Sequence, residues 1–284
     1  MAETKPEVPM AGVAMTAIGV AMVRALESNR PDRLYDDPLA LVFTEAARRG
    51  FAETDDGGRR WTRLEELAAA FYPGRTLSVR LVDDQVTAAV EQGCRQIVVL
   101  GAGLDTRAFR LALPPDIRFF ELDLPELFAF KEPILASARA VPTCARHVVC
   151  SDLRDDWAEA LRVNGFRPDL PTHWVDEGVL GYLTRAAAVR VAETLTELSS
   201  PGSRFGVVRF AADERPVQYR ELRRLVRADE AGERELRGLG GDARQWLDDH
   251  GWHTTFRGWA ELVAPFGRPV ENHPDVGFID AVRA

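Results

Sequence analysis

Cysteine is scarce in this chain: Cys94, Cys144 and Cys150 are the three in 284 residues. None forms a Cys-x-x-Cys pair and no His/Cys spacing matches a zinc site. That argues against a disulfide scaffold and a metal centre, and suits a reducing cytoplasm. Positive charge is also short. Against 44 Asp and Glu stand 36 Lys and Arg, a net charge of −8, which disfavours broad binding to nucleic acid or an anionic membrane. Long apolar runs are missing as well. The uncharged stretch from Met10 to Val23 falls short of the ~20 apolar residues of a bilayer span. Glu3 and Glu7 ahead of it do not make a positively charged secretory leader. It reads as a helix packed in the protein or lying over a ligand. Repeats and low-complexity tracts are absent.

What is present is a soluble composition, 46% hydrophobic and 28% charged, in a chain long enough for a large core. Its centre is Gln96-Ile97-Val98-Val99-Leu100-Gly101-Ala102-Gly103-Leu104-Asp105. An apolar run without alternation predicts a strand buried on both faces of a parallel sheet. Glycines at its end allow a sharp turn and the approach of a ligand to bare backbone. A dinucleotide-binding Gly-x-Gly-x-x-Gly fails here, because Thr106 stands where the third glycine would be. A second apolar run, Phe119-Phe120-Glu121-Leu122-Asp123, ends in acid about 20 residues on, where a carboxylate can accept from two ribose hydroxyls. Together they point to a nucleoside ligand without a tightly held pyrophosphate, a description that S-adenosyl-L-methionine fits.

The rest of the chain extends the pattern. Helices are predicted over 13–28, from Asp36-Asp37-Pro38, over 61–72 ending at Pro73-Gly74, and over 75–92. Arg24 falls near the end of the first, where a cation suits the helix dipole and can reach an anionic ligand. Further strands are predicted at 148–150, 172–177, 205–210, 252–256 and 277–282, with helices between them, one starting at Pro125 and bent or ended by Pro133. The alternation implies an α/β fold with a doubly wound, mainly parallel sheet. A single domain is expected: a helical cap over 1–92, a Rossmann-like core over 93–284, and a charged helical insertion after the fifth strand, 211–240, as a candidate lid. Successive strand ends carry Gly101 and Gly103, Asp123, Asp152 and Glu177. They offer backbone approach, a ribose contact, an adenine amino contact and a methionine ammonium contact in that order.

The motifs Leu-Gly-Ala-Gly-Leu-Asp-Thr-Arg (100–107), Phe-Glu-Leu-Asp-Leu-Pro (120–125) with Lys131 after it, Ser-Asp-Leu-Arg-Asp-Asp-Trp (151–157) and Trp-Val-Asp-Glu-Gly-Val-Leu-Gly-Tyr-Leu (174–183) resemble those of the leucine carboxyl methyltransferase family, in its actinobacterial-type branch. The resemblance spans nearly the whole chain. It implies a class I S-adenosyl-L-methionine-dependent O-methyltransferase, of a branch that includes carboxyl methyltransferases of polyketide pathways. By that resemblance Arg80 pairs with the methionine carboxylate and Gly101 lies beside the cofactor. Asp123 takes the ribose, Asp152 and Leu153 the adenine, and Glu177 the methionyl end. A basic residue of the N-terminal helix also belongs to the site, and Arg24 is the nearest candidate. Asp105 and Arg107 read as a local ion pair shaping the glycine turn, and His173 as a satisfied core histidine.

Methyl transfer from a sulfonium is a direct displacement, so the protein supplies alignment, dryness and charge. A carboxylate acceptor is already ionised at pH 7, whereas a phenol, with a pKa near 10, needs help to lose its proton. With no convincing His–Asp pair in the chain, a small-molecule carboxylate is the favoured acceptor, held by Tyr182 and Arg209. A phenol or other small-molecule O-methyltransferase, a non-catalytic S-adenosyl-L-methionine-binding protein and, less favoured, a protein-terminus methyltransferase are the alternatives.

Overall fold

A computed structural model describes residues 8–9, 12–209, 238–269 and 276–284. Seven strands form one sheet in the order β3-β2-β1-β4-β5-β7-β6. They are β1 (Gln96–Leu100), β2 (Arg118–Asp123), β3 (Ala145–Cys150), β4 (Thr172–Asp176), β5 (Arg204–Arg209), β6 (Trp252–Gly258) and β7 (Gly277–Arg283). β1 to β5 run parallel, and β7 lies antiparallel between β5 and β6. The chain winds outward from β1 to β3, then restarts beside β1 with β4. A crevice therefore opens over the carboxyl ends of β1 and β4, the switch point at which open α/β sheets take their ligands.

The apolar run of β1 is divided between two layers. Val98 and Leu100 join Phe120, Leu122, Trp157, Leu161, Trp174 and Leu195 on one face, backed by α6 (Trp157–Val163) and α7 (Arg185–Glu197). Ile97 and Val99 join Phe119, Val175, Val82 and Val86 on the other, where α3 (Gly57–Glu91) lies. Burial on both faces is what removed alternation from the sequence.

α3 corrects the expected break at Pro73-Gly74. It runs unbroken through Pro73, although proline costs an interior helix a hydrogen bond to the carbonyl four residues back. Ala69 and Pro73 are both on the solvent side, so water can take the freed carbonyl. On either side of the proline, Leu64 and Ala68, then Leu77 and Leu81, are buried in separate clusters. Packing at both ends carries the helix through a residue that favours stopping it. α5 (Pro125–Ser137) likewise continues past Pro133. β3 begins three residues before the expected Val148. Its first half, Ala-Arg-His, hid the strand because Arg146 enters it to meet buried Glu121, and His147 enters it to stack on Phe120.

The N-terminal helices α1 (Gly12–Ser28) and α2 (Pro38–Phe51) pack with the first half of α3 and with α5. Met15, Ile18, Met22, Phe43 and Trp61 meet Leu127, Phe130 and Leu104 there, so this layer reaches the residue just past the glycine turn. α2 opens as expected, with Asp37 capping the N–H of Ala40 and Pro38 in the first turn. Near the far end of the chain, α8 (Ala243–Asp249) and the short helix α9 (Trp259–Val263) flank β6. No described helix is long and apolar enough to cross a membrane. The proposed 211–240 insertion falls, but for its last three residues, outside the described residues.

Candidate active site

Strand register gathers the chemistry at one edge. Leu100 lies opposite Leu122 on one side and Asp176 on the other, and Asp123 lies opposite Cys150. The residues that follow, Gly101 to Gly103, Ser151-Asp152 and Glu177, therefore line up with Asp123 along the carboxyl ends of four adjacent strands. Three gaps of ~4.8 Å make this row roughly 14 Å long.

The glycine turn has a defined shape. Gly101 and Gly103 have φ of +62° and +52°, the left-handed region that residues with a Cβ seldom enter. A Cβ on Gly101 would sit 2.6 Å from Val179 Cγ2, and one on Gly103 would sit 3.1 Å from Ala17 Cβ of α1. α1 thus lies directly over the turn. Asp123 Oδ2 accepts from the Gly103 N–H at 2.6 Å, and Oδ1 accepts from the Leu124 N–H at 2.7 Å. Burial raises the pKa of this carboxyl, while those two N–H groups and Lys131 oppose the rise.

Glu177, after β4, is held by arginines. Arg107 donates to its Oε1, to Asp105 Oδ2 and, through Nε, to Asp83 Oδ1 at 2.7 Å. The expected Asp105–Arg107 pair is present, but it is part of a larger buried cluster. Asp83 comes from α3 and also takes Arg110 of the short helix α4 (Arg107–Arg110) at 2.6 Å. Burial alone would raise Asp105; Arg107 reverses this and, helped by Lys131 and Arg24, brings its pKa to about 2. Arg75 of α3 donates to the Glu177 carbonyl at 3.1 Å and lies 4.0 Å from Oε2.

Two expected site residues lie elsewhere. Arg80 does not reach the strand-end row. It bonds the Leu34 carbonyl and Asp84, both at 2.9 Å, and lies over the Phe266 ring. Five residues separate it from Arg75, about 140° around the helix axis, so the two arginines point to different neighbours. Arg24 is 4% exposed. It is turned into the back of the glycine turn, bonding Leu104 O at 2.6 Å and Thr106 Oγ1 at 3.1 Å, with Asp37 at 3.0 Å. Its charge shapes the turn and does not face outward.

The remaining candidates lie along the row or on the elements next to it. Asp152 is bound by Arg154, whose side chain is largely exposed, and Leu153 is buried beside it. Tyr182 ends the short 3-10 turn Leu180–Tyr182 that follows Glu177. Arg209 closes β5, next to β4, with its backbone opposite Gly277; its side chain falls outside the described residues.

β4 carries two buried titratable groups. Burial drives His173 down to about 3, assisted by Arg204 and Arg107. It is neutral at pH 7, is set inside the strand opposite Ile97, and its Nδ1 has no partner among the described residues. The core reading holds; the expectation that it is satisfied does not, at Nδ1. Burial pushes Asp176 up to about 6 from an ordinary 3.8, even though it accepts from the Gly178 and Leu180 N–H groups. Between those two pH values the folded chain keeps a proton that the unfolded chain releases. The group's stabilising contribution is therefore full below about pH 4 and is lost as pH rises through about 6. Asp176→Asn keeps an acceptor for both N–H groups but has nothing to ionise. Relative to the parent, it is expected to gain roughly 2–3 kcal/mol between pH 4 and pH 7. Urea unfolding at both pH values checks this, and a constant difference would refute it.

Comparison with known proteins places this geometry in context. The profile of the leucine carboxyl methyltransferases matches residues 17–196, more than half of the chain. A provisionally named S-adenosyl-L-methionine-dependent methyltransferase of Frankia alni is 42% identical over 278 residues, covering 98% of this chain and 96% of its own. One from a Parafrankia species is 40% identical over 279 residues, covering 96% and 88%. Among solved structures, a provisionally named methyltransferase of Thermobifida fusca aligns with a TM-score of 0.53 at 18% identity, over 96% of this chain and 94% of that one; this likeness concerns the fold.

Proposed function

This chain belongs to the leucine carboxyl methyltransferase family and is an S-adenosyl-L-methionine-dependent methyltransferase, and from that premise we propose that it methylates a carboxylate oxygen of a small molecule. The observation that carries the reading is the strand-end row, in which each donor or acceptor has a counterpart on the cofactor. Each Asp123 oxygen has one hydrogen bond in place, and a carboxylate oxygen accepts two. One lone pair on each is left for a ribose hydroxyl. Glu177 Oε1 is taken by Arg107, while among the described residues Oε2 has Arg75 at 4.0 Å, leaving it for the methionine ammonium. Arg75, beside Glu177, replaces Arg80 as the cation for the methionine carboxylate. Asp152 can turn to the adenine amino group by releasing exposed Arg154, since surface ion pairs contribute only ~0–1 kcal/mol. Gly101, Gly103 and Leu153 complete the wall.

Bound there, S-adenosyl-L-methionine supplies an activated methyl carbon on a sulfonium. The chain's part is to orient the acceptor and exclude water. The acceptor falls beyond Glu177, toward the ends of β4 and β5, where Tyr182 and Arg209 are the proposed holding groups. His173, inside β4, is buried and neutral. A carboxylate acceptor needs no base in its place. The polyketide link of the resembling branch makes secondary-metabolite acids the first acceptors to try.

Labelled-methyl transfer tests this directly. With a panel of small carboxylic acids and phenols, label is expected in the acids and is expected to be released by mild base, as from an ester. A base-stable product formed from the phenols alone would overturn the carboxylate assignment.

A further inference from the structure

Lys131, on α5, has no exposure to solvent. A buried ammonium must recover its lost hydration from fixed partners. Among the described residues Lys131 has two: Glu121 Oε2 at 2.6 Å and the Gly103 carbonyl at 3.2 Å. Glu121 does not depend on it alone. Arg146 donates to both Glu121 oxygens, at 2.9 and 2.8 Å, and continues to Glu132. The second bond has a different consequence. Gly103 is gripped on both sides of its Cα, its N–H by Asp123 and its carbonyl by Lys131. A glycine has little intrinsic preference for one sign of φ, so the left-handed conformation at Gly103 has to be selected from outside. The chain of contacts runs from Arg146 on β3 through Glu121 on β2 and Lys131 on α5 to Gly103 and back to Asp123. The positive charge of Lys131 also favours the ionised form of Asp123.

We propose that Lys131 is a positioning residue of the cofactor site, setting affinity for S-adenosyl-L-methionine by holding the Gly103 carbonyl and, through it, the seat of Asp123, without touching the cofactor. The inference rests on the assignment of Asp123 to the ribose. Two variants separate positioning from folding. Lys131→Met leaves Glu121 buried with less compensation and frees the Gly103 carbonyl. Lys131→Met combined with Glu121→Gln removes the buried charge as well, while the carbonyl stays free.

Calorimetric titration with S-adenosyl-L-methionine, run beside urea unfolding, reads both effects. The single variant is expected to lose stability and to bind at least tenfold more weakly. The double variant is expected to regain much of the stability while its affinity stays at least tenfold down. Affinity within threefold of the parent in either variant would overturn the proposal. Asp123→Ala in the same titration distinguishes the two levels. An unchanged Kd there removes the ribose assignment itself, whereas a large loss there with normal binding in the Lys131 variants removes only the positioning role.

Discussion

Asp123→Ala is expected to weaken S-adenosyl-L-methionine binding at least a hundredfold. Hydrogen bonds to a charged group contribute about 1.5–3 kcal/mol each. Two ribose hydroxyls on one carboxylate therefore account for roughly 3–6 kcal/mol, or about two to four decades in Kd. The folded state loses much less. Asp123 is only partly buried, and the Gly103 and Leu124 N–H groups it holds lie at the open edge, where water can replace it. Calorimetry on a variant whose circular dichroism matches the parent checks the result, and a Kd within tenfold of the parent would remove Asp123 from the site.

Arg107→Met is expected to act on the fold first, by about 3–5 kcal/mol, the range for removing one partner of a buried charge cluster. Methionine is close enough in size that the loss is mainly electrostatic. Asp83 keeps Arg110 and Glu177 keeps Arg75 nearby, but Asp105 loses its ion-pair partner in a buried place. The pH dependence identifies the cause. In the parent, the depressed pKa of Asp105 gives stability that is present above about pH 4 and lost as pH falls toward 2. Without Arg107 the largest influence lowering that pKa is gone and burial is opposed by Lys131, Arg24 and a backbone N–H, so the folded pKa is expected to rise and the stability gained at higher pH to shrink. Urea unfolding should show a deficit at pH 8 well above that at pH 4. A loss below about 1 kcal/mol at both would mean the cluster stabilises little. The same variant removes the Arg107 bond that holds Glu177 Oε1, so cofactor affinity is expected to fall with it.

The strand-end row could be read from local chemistry. Apolar runs ending in Gly-Ala-Gly, Asp123, Asp152 and Glu177 identify the strands and their carboxyl ends together, because burial on both faces writes itself into consecutive residues. Arg75 left no such mark. Arg75 and Arg80 sit on the same helix, and only the way α3 lies on the sheet turns one of them toward Glu177. Asp83 and Arg107 are 24 residues apart, with no motif joining them. Arg24, near the end of an uncharged helix, gave the same signal whether it pointed at a ligand or inward. It points inward because Asp37, Thr106 and the Leu104 carbonyl meet it there.

The sequence by itself determined the α/β alternation, the central strand and the order of groups along its edge, since each follows from residues adjacent in the chain. Tertiary structure decided that α3 continues through Pro73, that α1 closes over Gly103, and which arginines serve the edge and which brace it from behind. Those outcomes depend on how separate elements pack. A helix turns by 100° per residue, so its orientation against the sheet selects the side chains that reach a given point, and that orientation is set by the summed burial of residues far apart in the chain.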